Sequence, residues 1–119
     1  MIARLLGVVQ IVVGVAIWIR GASQGVVAFH AAAGSLFVLA LWIIGVIALF
    51  ALPRRGLALF TLLWGGLVLW FGMAQTTLLV GSAHWAIRVA HLLVGLAAMG
   101  LAEALGGATR RHWAATHES

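Results

Sequence analysis

The chain has no cysteine and no lysine, and its two acidic residues are both glutamate. Without cysteine there are no disulfides, no thiol redox chemistry and no thiolate metal ligands. Charged residues of any kind make up only 8% of the 119 residues, while 65% are hydrophobic and the mean hydropathy is +1.19. A water-soluble domain is closer to half apolar and a quarter charged, so a soluble core is excluded. Proline is almost absent too, with Pro53 alone, and long apolar runs therefore continue unbroken on either side of it.

Four such runs are present, at residues 2–19, 26–52, 56–74 and 85–105. Each is near the length of about twenty residues needed to cross a bilayer as a helix. The links between them are short. Residues 20–25 contain Ser23 as a predicted N-cap; "PRRG" (53–56) ends the second helix and eases the turn into the third; residues 75–82 end on Ser82, a second predicted N-cap. Links this short make sequential helices antiparallel. The expected fold is an all-α membrane protein, an up-down-up-down bundle of four transmembrane helices over residues 1–107. Gly106 and Gly107 are read as stopping the fourth helix, leaving a short polar C-terminal tail at 108–119.

The first run has a basic start and an apolar centre, as a signal peptide does. Arg20 follows directly, however, where a cleavage region prefers small neutral residues. It is read as a retained helix, with Arg4 and Trp18 at its ends. Arginine then sets the orientation. Arg4, Arg54, Arg55, Arg110 and Arg111 lie at one end, Arg20 and Arg88 at the other. Five against two places both termini in the cytoplasm of a multi-pass cell-membrane protein. The formal charge of +5 is explained by this topology and by anionic lipid headgroups; no nucleic-acid module is visible.

Five histidines remain to be explained. His112 and His117 are expected as solvated tail residues, and His84, beside Trp85, as an interfacial one. His30 and His91 stand inside apolar helices, in "VAFHAAAGSLFV" and "RVAHLLVGLAAM". Ionisable groups at such depth face the bundle interior and mark function. Helices two and four run in the same direction, His30 seven residues beyond Ser23 and His91 nine beyond Ser82. At about 1.5 Å per residue the rings fall within about 3 Å of one depth. Each histidine is followed four residues later by glycine (Gly34, Gly95), on the same helix face, which leaves room for a flat body. Arg88 precedes His91 by three residues, and Arg20 ends helix one on the same side.

Two imidazoles at equal depth, flanked by glycine and capped by arginine, fit the axial ligands of one haem b held within the bundle. His30 and His91 are the expected metal ligands, with Arg88 and Arg20 pairing with the propionates. A plainer account has both rings hydrogen-bonded to backbone or to each other as helix glue. Zinc or copper would want three or four ligands, and no thiol or carboxylate stands near.

On these residues the chain resembles the four-helix membrane b-type cytochromes, including the cytochrome b561 group. It is also similar to one half of the heme A synthase fold, in "VQIVVGVAIWI" with Gln10 and Gly14 and in "HWAIRVAHLLVGLAAMGL". The resemblance implies His30 and His91 as ligands. It departs from the b561 group, which commonly carries two haems: neither 41–47 nor 102–105 contains a histidine. It departs from heme A synthase in length and in lacking a glutamate near the histidines, since Glu103 lies at the far end of helix four.

With both axial positions filled, electron transfer is favoured over catalysis. Donor and acceptor would be a quinone or a redox partner subunit. Competing readings are a non-catalytic accessory subunit of a larger membrane complex and a small transporter, though helix one offers only Gln10 where a proton-coupled exporter needs a glutamate. Helices from a homodimer could also supply the histidine pair. A faint repeat aligns Gly14 with Gly66 and Trp18 with Trp70, each hairpin leading to one His-x-x-x-Gly. Gly7 with Gly14, and Gly66 with Met73, read as close-packing stripes. Trp42 and Trp64 are read as core or lipid-facing. Glu103 is expected to pair with Arg54, Arg55 or a lipid amine.

Overall fold

The computed structural model describes residues 2–53 and 55–117. It contains four helices: α1 (Ile2–Arg20), α2 (Gln24–Ala51), α3 (Gly56–Ala74) and α4 (His84–His117). Each is long and apolar enough to cross a membrane. Every helix packs against its sequence neighbour, α1 closes the ring against α4, and α2 meets α4 across the diagonal. The result is an elongated bundle, 58 × 22 × 17 Å.

The helix ends follow local chemistry. Gly21 adopts φ +70° and its N–H bonds the Ile17 carbonyl at 2.9 Å, the left-handed stop that glycine accepts without strain. Ser23 stands at the N-cap of α2 in extended conformation, but its side chain makes no capping bond. At the other end of α2, Leu52 is held extended (φ −97°, ψ 139°), as a residue before proline must be. Arg54, of the loop used to orient the chain, lies outside the described residues.

Two expectations are corrected in α4. The helix begins at His84, so Ser82 lies in the preceding turn and not at the cap. That turn is shaped by Leu79 (φ 43°) and Gly81 (φ 110°), and His84 Nδ1 donates to the Leu78 carbonyl at 3.2 Å, closing the link. At the far end α4 does not stop at Gly106–Gly107. It continues to His117, so the described part of the polar tail is helical. Glycine lowers helix propensity by about 1 kcal/mol relative to alanine but does not forbid the helix, and no proline follows to break it. At 34 residues α4 is about 50 Å long, well beyond an apolar bilayer core of about 30 Å.

Large apolar side chains are exposed on every helix, among them Leu5, Phe29, Leu63 and Leu93. A soluble monomer rarely shows so much apolar surface, and lipid is its natural cover. Inside, the buried residues lie mainly toward one end, with Ala33 of α2 reaching furthest toward the other. They are drawn from Ala3 and Gly7 of α1, 33–48 of α2, 58–65 of α3 and 98–105 of α4. Leu41, Ala48, Ala58, Thr61, Ala98 and Leu105 have no exposed surface. Two indoles tie this end together: Trp42 Nε1 donates to the Leu62 carbonyl at 3.0 Å, and Trp64 Nε1 to the Val94 carbonyl at 3.1 Å. Both tryptophans are thus half-buried helix ties. Trp42 leans on Gly65, which leaves no room for a Cβ there, whereas Gly66 has open space beside it. The packing glycine of α3 is therefore Gly65, one position before the expected stripe.

Candidate functional site

The inward-facing positions that are buried at one end continue, on the same helix faces, into the other. On α1 the stripe runs from Ala3 and Gly7 to Gln10 and Gly14. On α2 it runs from Leu41 and Phe37 to Gly34 and His30. On α3 it passes from Thr61 and Gly65 to Val68 and Gly72, and on α4 from Leu105, Ala102 and Ala98 to Gly95 and His91. The last two residues of every stripe are only half-buried. Each helix thus brings one glycine to this end, and α2 and α4 each bring one histidine.

The two histidines meet. His30 is the seventh residue of α2 and His91 the eighth of α4, so the helix starts alone bring the rings to one depth. Their centroids are 6.3 Å apart, with the planes inclined at 65°. Both Nδ1 atoms are buried without a hydrogen-bond partner, and so is Nε2 of Gln10. Buried polar groups are normally satisfied, so three orphans at one end of a small bundle call for an explanation. Among the described residues neither histidine bonds to backbone or to the other ring, which removes the observation that the helix-glue account needs.

Around the rings the glycines divide into two kinds. A Cβ on Gly14 would stand 3.2 Å from His30 Cε1, and one on Gly72 would stand 3.5 Å from His91 Cε1. Each ring therefore rests against a bare stretch of the preceding helix. Gly34 does not provide the open space expected beside His30: Gln10 reaches over from α1, its Oε1 3.3 Å from where the Cβ would be. Gly95 does provide it, with nothing within 4 Å. Packing between α1 and α2 is reciprocal, Gln10 against Gly34 and His30 against Gly14. Between α3 and α4, Gly72 again receives the histidine, but α3 has Val68 where α1 has Gln10. The two hairpins therefore correspond through Gly14 and Gly72, and not through Gly14 and Gly66 as the sequence repeat suggested.

Phe71 was not singled out in the sequence, yet it stacks on His91 with centroids 5.9 Å apart and planes at 29°. In an apolar helix one phenylalanine resembles any other, and only its place one residue before Gly72 could have marked it. Arg88 and Arg20 are both exposed at this end of the bundle, on α4 and α1 respectively. The ion pair present among the described residues is elsewhere, Arg4 Nε to Glu103 Oε1 at 3.9 Å, so Glu103 pairs with Arg4 where Arg54 or Arg55 was expected.

The donor set can be tested for fit. No cluster of three or more histidine or acidic side chains exists among the described residues, so a metal held wholly by side chains has too few ligands here. A macrocycle that brings four ligands of its own needs two more, one per face. A metal–imidazole bond of about 2 Å on each side, extended to the two ring centres, spans about 6 Å, which matches the 6.3 Å separation. Two imidazoles with orphaned nitrogens, beside open space at Gly95, suit that role. No protein-family model matches the chain, and no match is found among curated proteins or solved structures.

Proposed function

We propose that the chain is a single-haem membrane cytochrome of the b type, with His30 and His91 as axial ligands, serving in electron transfer. The observation that carries this reading is the pair of histidines at equal depth, 6.3 Å apart with their Nδ1 atoms unpartnered, in the half of the bundle that the inward stripes leave half-open. When bound, haem supplies a one-electron couple.

The chain's own residues have distinct tasks in that reading. His30 and His91 supply ring nitrogens from helices fixed in register by the packed end. Gly14 and Gly72 let the rings sit close to the neighbouring backbones, and Phe71 holds the plane of His91. Gly95 leaves open the space that any side chain would fill. Gln10 Nε2 is a buried donor one turn from Gly14, available to an acceptor within the site. Arg88 and Arg20 stand at the same end, where carboxylates emerging from the bundle would meet them. With His30 and His91 both holding the haem iron, relay of an electron would be favoured over oxygen chemistry.

The orientation proposed is both termini in the cytoplasm, with the site nearer the outer face of a cell membrane. A quinone or a partner subunit would exchange electrons with it. An accessory subunit without a cofactor remains the second reading, favoured by the absence of any extended link between the helices.

Haemin titration of the purified protein in mild detergent tests the proposal. Saturation at one haem per chain is expected, with at least tenfold weaker binding in both His30→Ala and His91→Ala. Gly95→Leu should also block uptake while leaving helix content unchanged. Equal uptake by all three variants would defeat the assignment.

A further inference from the structure

At the end opposite the histidines, α1, α2 and α4 enclose a notch of about 70 Å³. It is lined by apolar Ala3, Ile44 and Ala102, and by the charged Arg4, Glu103 and Arg110. That volume accommodates a few waters or one phosphate-sized group. Arg4 Nε stands 3.9 Å from Glu103 Oε1, an exposed ion pair beyond hydrogen-bond distance, leaving its five-donor fork free. Arg110 is in no ion pair among the described residues. Two guanidiniums and one carboxylate give the rim a net charge of +1.

Gly106 and Gly107, weak helix formers in the last third of α4, have a use at this place. Arg110 folds back along the helix until Nη1 lies 4.0 Å from where a Cβ of Gly106 would stand. Arg111 does the same over Gly107, at 3.2 Å. Glycine four residues earlier lets a guanidinium lie against the helix and point back toward the apolar span. Leu5, the residue after Arg4 on α1, is 66% exposed, so the apolar surface of the helix begins next to the charged rim.

We propose that this notch binds the phosphate of an anionic membrane phospholipid. Arg4 and Arg110 clamp the phosphate oxygens, Glu103 offsets part of their charge, and the acyl chains lie along the exposed side of α1. A basic recess flush with the end of apolar helices is the setting in which lipid phosphates are recognised. The proposal rests on the chain crossing a bilayer and is independent of haem.

The test is native mass spectrometry of the detergent-purified protein titrated with phosphatidylglycerol, with phosphatidylcholine and inorganic phosphate as comparison arms. One phosphatidylglycerol per chain should be retained, about tenfold more tightly than phosphatidylcholine. Arg4→Gln and Arg110→Gln should each weaken retention about fivefold, while Arg111→Gln, equal in charge but off the rim, stays within about twofold. Glu103→Gln should tighten it, a gain that misfolding does not produce. Equal losses in all three arginine variants would reduce the effect to general charge and overturn the site. Equal retention of both lipids would overturn it too, and displacement by millimolar inorganic phosphate would assign the notch to a soluble anion instead.

Discussion

The two ends of this bundle are built from the same four helices by different rules. At the arginine-rich end, inward positions hold Leu41, Val38, Thr61, Ala98 and Leu105 with almost no surface exposed. The side chains interlock, and Thr61 returns its hydroxyl to the Leu57 carbonyl at 2.8 Å, so that among the described residues no buried side-chain polar atom at this end is left unpaired. At the histidine end the same stripes carry glycine, histidine and glutamine, remain half-exposed, and leave three buried polar atoms without partners. A bundle needing only to hold together would continue the first pattern to its end. The difference teaches that one end supplies rigidity and register, while the other is more loosely packed, keeps three buried polar atoms unpaired, and is where the proposed haem would sit.

Substitutions can break or sharpen this contrast, read as unfolding free energy of the cofactor-free protein in detergent. The largest effect belongs to the packed end: Leu41→Ala should destabilise by about 2–5 kcal/mol, because the cavity cannot collapse. Gly65→Ala should cost about 1–3 kcal/mol, since its methyl meets the Trp42 indole. At the histidine end the sign should reverse. Gln10→Leu should stabilise by about 1 kcal/mol by removing a buried unpaired amide. Gly95→Ala should stabilise by about 1 kcal/mol or less through helix propensity, there being nothing for the methyl to strike. If Gly65→Ala and Gly95→Ala shift stability in the same direction, the two ends do not differ as described.

Much of the fold is legible in the sequence, because apolar runs, one proline and short links leave few ways to arrange four helices. The matched depth of His30 and His91 is legible for the same reason: helical rise is fixed, and both helices start from the same end. What the sequence does not reveal is which neighbour each glycine serves. Gly34 and Gly95 stand in the same place relative to their histidines, yet one is filled by Gln10 and the other is open. That distinction depends on the facing helix, where α1 has glutamine and α3 has valine. Phe71 was missed on the same ground, since its stacking on His91 is a property of helix rotation and not of spacing. The run of α4 through Gly106–Gly107 was misread because paired glycines look like a stop. Their part in seating Arg110 and Arg111 emerges only once the guanidiniums are seen folded back over them.

The central claim is that the loosely packed end holds haem between His30 and His91. The most direct measurement is the visible absorption spectrum of the purified, haem-supplied protein, oxidised and then reduced with dithionite, beside His30→Ala and His91→Ala. The account predicts a sharp reduced α-band and a shifted Soret band, both lost in either variant. A protein that stays colourless after haem is supplied, or a spectrum that survives both substitutions unchanged, would contradict it.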